Sequence, residues 1–118
     1  MKEFKRSERV SDNIHQVVST ILLREVTDPR LEMVTITGAR VSDDLRHADI
    51  YYSIIGDEKR WAEAKKGFQS SKGFIKKALG RKLKMKYMPD LHFREDKSLE
   101  GGEKIDRILS EIIVDHDE

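Results

Sequence analysis

The chain has 118 residues, no cysteine, 38% charged residues and a formal net charge of +1. That length suits a single domain able to bury about two-thirds of its unfolded surface, and the lack of cysteine excludes disulfides and thiolate metal sites. No apolar run approaches the roughly 20 residues of a membrane-spanning helix, and the opening MKEFKRSERV is charged without an apolar core, so no secretory signal is expected.

The first element is a helix running to about Val26, with Ser7 or Ser11 as its cap. Val10, Ile14, Val17, Val18, Ile21 and Leu22 recur at i, i+4, i+7 and i+8, an apolar stripe on one side. Lys2, Lys5, Arg6 and Arg9 form a small basic cluster ahead of it. The Asp28-Pro29 step stops the helix, because proline pushes the preceding residue towards extended geometry. Arg30 has two candidate partners, a phosphate or the neighbouring Asp28.

Met33 to Ser42 reads as a strand. Val34, Ile36 and Gly38 alternate in one phase and Ala39 and Val41 in the other, so a bulge or bend is expected at Gly38. Asp43 to Arg46 is the loop of a hairpin, its aspartates serving as turn formers rather than a catalytic pair. The return strand, His47 to Ile55, puts Ala48, Ile50, Tyr52 and Ile54 on the core face. Tyr51 lies opposite, as a half-exposed strand tyrosine or a base-stacking one.

Lys59 to Lys86 changes the character of the chain. It holds eleven Lys and Arg against one acid, Glu63, for a net charge of +10, so the remainder carries −9. Such asymmetry points to a polyanionic partner. On a helix starting after an Asp57 cap, Trp61, Ala64, Phe68, Ser71, Phe74, Ile75, Ala78 and Leu79 share one face. Lys59, Lys65, Lys66, Lys72, Lys76 and Lys77 share the other, and only Arg60 breaks the division. Gly67 falls on the apolar face, where it permits close packing. Gly80 is expected to end or kink this helix, with a short second helix from Arg81 to about Tyr87, before Pro89. Asp90 to Glu95 is a third strand with Leu91 and Phe93 on one face. After a loop, Glu103 to Val114 is patterned as a last helix through Ile105, Ile108, Leu109 and Ile112. From Glu95 onward nine acids face three bases.

Catalytic chemistry has little to stand on. The four histidines, His15, His47, His92 and His116, show no metal-ligand spacing. His15 is expected to face solvent, and His92 reads as a strand histidine. No phosphate-binding loop, nucleophile elbow or acid–base pair is present, so neither a catalytic residue, a metal nor a cofactor is expected.

The element order is helix, strand, strand, helix, short helix, strand, the order of a type II KH domain. KH domains clamp single-stranded nucleic acid through a G-x-x-G loop. This chain instead has Ala78-Leu79-Gly80, flanked by Lys76-Lys77 and Arg81-Lys82. With that A-x-G, the stretches DPRL (28–31), VTITG (34–38), DLRHADIYYS (44–53) and GFIKKALGRKLKMKYMPDLHFREDKS (73–98) make the chain resemble the ribosome-binding factor A family. The resemblance covers roughly Phe4 to Ser98, in order and without large gaps. It implies an α+β fold, a type II KH-like domain over residues 1–98 arranged α-β-β-α-α-β with a three-stranded sheet covered by helices. An acidic, partly helical C-terminal extension over 99–118 follows. It further implies a monomeric, cytoplasmic, non-enzymatic factor that binds the free small ribosomal subunit and its rRNA. Such factors assist late maturation and rRNA processing and matter most in the cold. The RNA contacts would be Lys72, Lys76, Lys77, Ala78, Leu79, Gly80, Arg81, Lys82, Lys84 and Lys86, following a phosphate backbone. Only Tyr87, and Tyr51 beyond it, offers an aromatic near the basic run. Two other readings are a generic KH-type binder of single-stranded nucleic acid and a peripheral membrane binder. The second is disfavoured because Trp61, Phe68 and Ile75 are committed to the core rather than to lipid.

Overall fold

The computed structural model describes residues 6–98. Helix α1 (Arg6–Arg24) is followed by a 3-10 turn over Pro29–Leu31, strands β1 (Thr35–Val41) and β2 (His47–Ser53), the long helix α2 (Glu58–Leu83) and strand β3 (Asp90–Glu95). The sheet runs β1-β2-β3, antiparallel in the first pair and parallel in the second. A parallel pair needs a long crossover, and α2 supplies it. The fold is therefore α+β, two helices against a three-stranded sheet. The expected extension over 99–118, with its helix at Glu103 to Val114, lies outside the described residues.

The register follows from side-chain alternation. Ala48 stands between Val41 and Leu91, Ile50 between Ala39 and Phe93, and Tyr52 between Ile36 and Glu95. All three β2 residues are buried. The bulge falls where the phase change placed it, between Ile36 and Gly38. It lets Ile36 and Val41, five positions apart, both point inward, which strict alternation forbids. Ile14, Val18 and Ile21 of α1 and Trp61, Ala64, Phe68, Ile75, Ala78 and Leu79 of α2 meet that face. Phe68 is its centre. Its ring stacks on Phe93 at 4.4 Å and leans on Tyr52 at 4.5 Å.

The turn after α1 is tied down three ways. Asp28 caps it, accepting from the Arg30 N–H. Arg60 donates to the carbonyls of Arg30 and Glu32, which explains why a cation interrupts the apolar face of α2. Gly67 supplies the third: a Cβ there would lie 2.9 Å from Leu31 Cδ2 and 3.1 Å from Arg30 Cβ.

Several expectations need correction. Neither Ser7 nor Ser11 caps α1. Both lie inside it, and the Ser11 hydroxyl accepts from the Val41 N–H, pinning the helix to β1. His15 is only part-exposed: its Nε2 donates to the Ile36 carbonyl at 2.9 Å. Phe74 is 47% exposed rather than packed, since Ile75 and Ala78 take the core positions beside it. The break at Gly80 and the short helix over 81–87 are absent. Gly80 keeps negative φ, α2 continues to Leu83, and Lys84 closes it in the left-handed region at φ 53°, ψ 38°. Leu83 continues the apolar stripe and packs partly against the core, so the helix gains from one more turn.

Candidate nucleic-acid interface

α2 is positioned by its inner face and leaves its outer face to solvent. The Asp57 carboxylate accepts from the Arg60 N–H and fixes the start. Twenty-six residues at about 1.5 Å each give a rod of about 39 Å. Lys59, Lys65, Lys66, Lys72, Lys77, Arg81 and Lys84 are exposed along it. None of these seven makes an ion pair among the described residues. The two that do are Lys76, 3.4 Å from Asp90, and Lys82, 3.3 Å from Glu25. Both pairs are part-exposed and so worth little; an anion can compete for either cation.

The sequence-derived contact set therefore divides. Lys72, Lys77, Arg81, Lys84 and Lys86 are exposed, and Lys76 is half-buried. Ala78 and Leu79 are 1% and 0% exposed, so their side chains belong to the core and are closed to any partner. Gly80 is partly exposed, and a Cβ there would lie 3.3 Å from Met88 Cγ. Lys82 is also exposed but pairs with Glu25, just past the end of α1.

The cations also line a groove between α2 and β3. Lys65, Gln69, Lys72, His92 and Arg94 rim a recess of about 250 Å3 floored by Tyr52 and Phe68. Burial, aided by the Glu95 carboxylate, pushes the Tyr52 hydroxyl up to about 12, so it stays protonated and is no general base. Arg94 is held by Asp49 at 2.7 Å. Arg30 goes to Asp28, Nη2 to Oδ2 at 2.6 Å, and not to an open site. Tyr51 lies half-buried on the outer sheet face. No cluster of three or more metal-ligating side chains occurs among the described residues, and no helix there is long and apolar enough to cross a membrane.

The family model of ribosome-binding factor A matches residues 6–109. The chain belongs to the ribosome-binding factor A family. It is 48% identical over 118 residues to the ribosome-binding factor A of Desulfosudis oleivorans, covering 100% of this chain and 92% of that one. It resembles the solution structure of a putative ribosome binding factor A from Thermotoga maritima, with TM-score 0.71, 28% identity, and 86% and 97% of the two chains covered. It also shares the fold of a Thermus thermophilus ribosome binding factor A homology model fitted into a cryo-EM map of a 30S complex. There the TM-score is 0.65 and identity 19%, over 83% and 100% of the chains. Within this family fold, the A-x-G at Ala78 to Gly80 consists of two core residues and one partly exposed glycine of a continuous helix.

Sequence reasoning saw Arg6 only as part of an N-terminal basic cluster and missed Arg46 and His47; the fold brings all three beside Lys86 and Tyr87 at the far end of α2. They are separated by some forty residues, so no spacing rule could join them.

Proposed function

We propose that this protein binds the free small ribosomal subunit through its rRNA, with the outer face of α2 following the phosphate backbone. The observation that carries this is the row of exposed cations on one 26-residue helix without carboxylate partners among the described residues. Phosphate contacts supply most nucleic-acid affinity, and a row of uncompensated cations suits them. The family, and the 30S complex into which the Thermus neighbour was fitted, support the ribosome as the source of that RNA. Holding flexible rRNA in one arrangement would assist late maturation and processing of the small-subunit rRNA. The need for it would be greatest in the cold, where RNA misfolds are slowest to resolve. We read the protein as a monomeric cytoplasmic factor acting without cofactor or catalysis, through Lys72, Lys76, Lys77, Gly80, Arg81, Lys84 and Lys86, with Lys82 joining once Glu25 releases it.

The test is co-sedimentation with separated small subunits, large subunits and whole ribosomes across a salt series. Neutralising about five phosphates gives a slope of log K against log salt of roughly −3.5. Lys72→Ala, Lys77→Ala and Arg81→Ala together should flatten that slope by about 2 and weaken binding tenfold or more, with the melting temperature kept. Association with all particles alike would favour a generic single-stranded nucleic-acid binder, and a slope near zero would remove the electrostatic reading.

A further inference from the structure

We propose that the recess at the C-terminal end of α2 is a stacking site for one unpaired nucleotide of single-stranded RNA, with Tyr87 as the platform and Arg46 and Lys86 as phosphate partners. This rests on the RNA reading of α2 and adds to it where the strand goes. The recess has a volume of about 660 Å3 and is lined by Arg6, Arg46, His47, Lys86, Tyr87 and Met88 among others. That lies within the roughly 300–1,000 Å3 of small-ligand sites.

Tyr87 is the anomaly. It is 77% exposed, although a tyrosine ring offers a large apolar payload that folding normally buries. Lys86 Nζ lies 5.5 Å from its centroid, so one face meets a cation and the other meets no core. A ring with a cation beside it matches a nucleotide, which needs a flat surface for the base and a positive charge for the phosphate.

The acids in the lining are already engaged. Asp44 accepts from the Ser42 hydroxyl at 2.6 Å and the Arg46 N–H at 3.0 Å, and Asp90 is paired with Lys76 in the free protein. The frame is also firm: the Asp90 N–H donates to the Arg46 carbonyl at 2.8 Å, joining the β1-β2 loop to the start of β3. The recess adjoins the last turns of α2: Lys76 pairs with Asp90 of the lining and Met88 lies against Gly80, and Lys77, Arg81 and Lys84 are exposed on those turns. A strand following α2 thus reaches Tyr87 with a free base.

The experiment uses the full chain and a short single-stranded RNA of mixed sequence, alone and paired in a duplex. Tyr87→Ala should weaken single-strand binding roughly tenfold and leave the salt slope unchanged, because stacking releases no counterions. Tyr87→Phe should bind as wild type. Duplex binding should be indifferent to both, its bases being stacked already. Arg46→Ala should flatten the slope by about 0.7. If wild type shows its salt slope but Tyr87→Ala binds the single strand equally well, or loses single strand and duplex alike, the stacking site is overturned and the α2 reading stands. If wild type shows no salt-dependent binding, the α2 reading fails and takes the site with it.

Discussion

Three glycines of α2 look alike in the sequence and differ in space. Gly67 faces Leu31 with no room for a Cβ, Gly73 has nothing within 4 Å, and Gly80 has the flexible Met88 at 3.3 Å. Helix-interior glycine costs up to about 1 kcal/mol relative to alanine. Gly73→Ala should therefore raise the melting temperature by about 4–8 °C, as 1 kcal/mol does in a domain of this size. Gly67→Ala should lower it, because overpacking costs about 1–3 kcal/mol. Gly80→Ala should fall between, since the methionine must move by a few tenths of an ångström. Thermal melts of the three variants check the order, and a drop for Gly73→Ala would place a neighbour where the structure has open space.

At the scale of the element, the end of α2 is where function and stability pull apart. Lys84 sits in the left-handed region, where a residue with a Cβ pays about 1–2 kcal/mol, and its N–H still bonds to Gly80 O at 3.0 Å. Glycine is the residue that usually ends a helix this way. Lys84→Gly should raise the melting temperature by several degrees. The same change removes one cation from the RNA path and should flatten the salt slope by about 0.7. Paired melts and salt titrations read both effects. A variant that is no more stable would mean that Lys84 gains something from its place other than charge.

Across the molecule, several loops and strand ends are held by carboxylates. Arg30 hydrogen bonds hold Asp28 below the ordinary value of 3.8, the Ser42 hydroxyl does so for Asp44, and the Thr37 hydroxyl for Asp96. A lowered folded pKa means that stability is present above the unfolded value and lost as pH falls through the folded one. The domain should thus hold its melting temperature down to about pH 4 and lose it progressively below. Asp28→Asn should soften that acid dependence, because the amide keeps the turn's shape without the titrating charge. A melting temperature flat from pH 5 to pH 2 would exclude these carboxylates as contributors.

Much of this was legible in the chain itself. Alternation in β2 and the 3.6-residue stripes of both helices name the core, because burial is a local pattern repeated at a fixed period. Charge separation on α2 is legible for the same reason: one helix carries it. The phase change at Gly38 announces the bulge. Tertiary structure decided what depends on residues far apart. Gly80 looks like a terminator, yet Leu83 packs on the core and carries the helix past it. Ala78 and Leu79 look like part of a contact motif, yet their positions on the rod turn them inward. Arg60 looks misplaced until the turn at Arg30 arrives beneath it. Arg6 and Arg46 join Tyr87 only because β3 starts beside the β1-β2 loop, and a contact between segments some forty residues apart leaves no periodic trace in either of them.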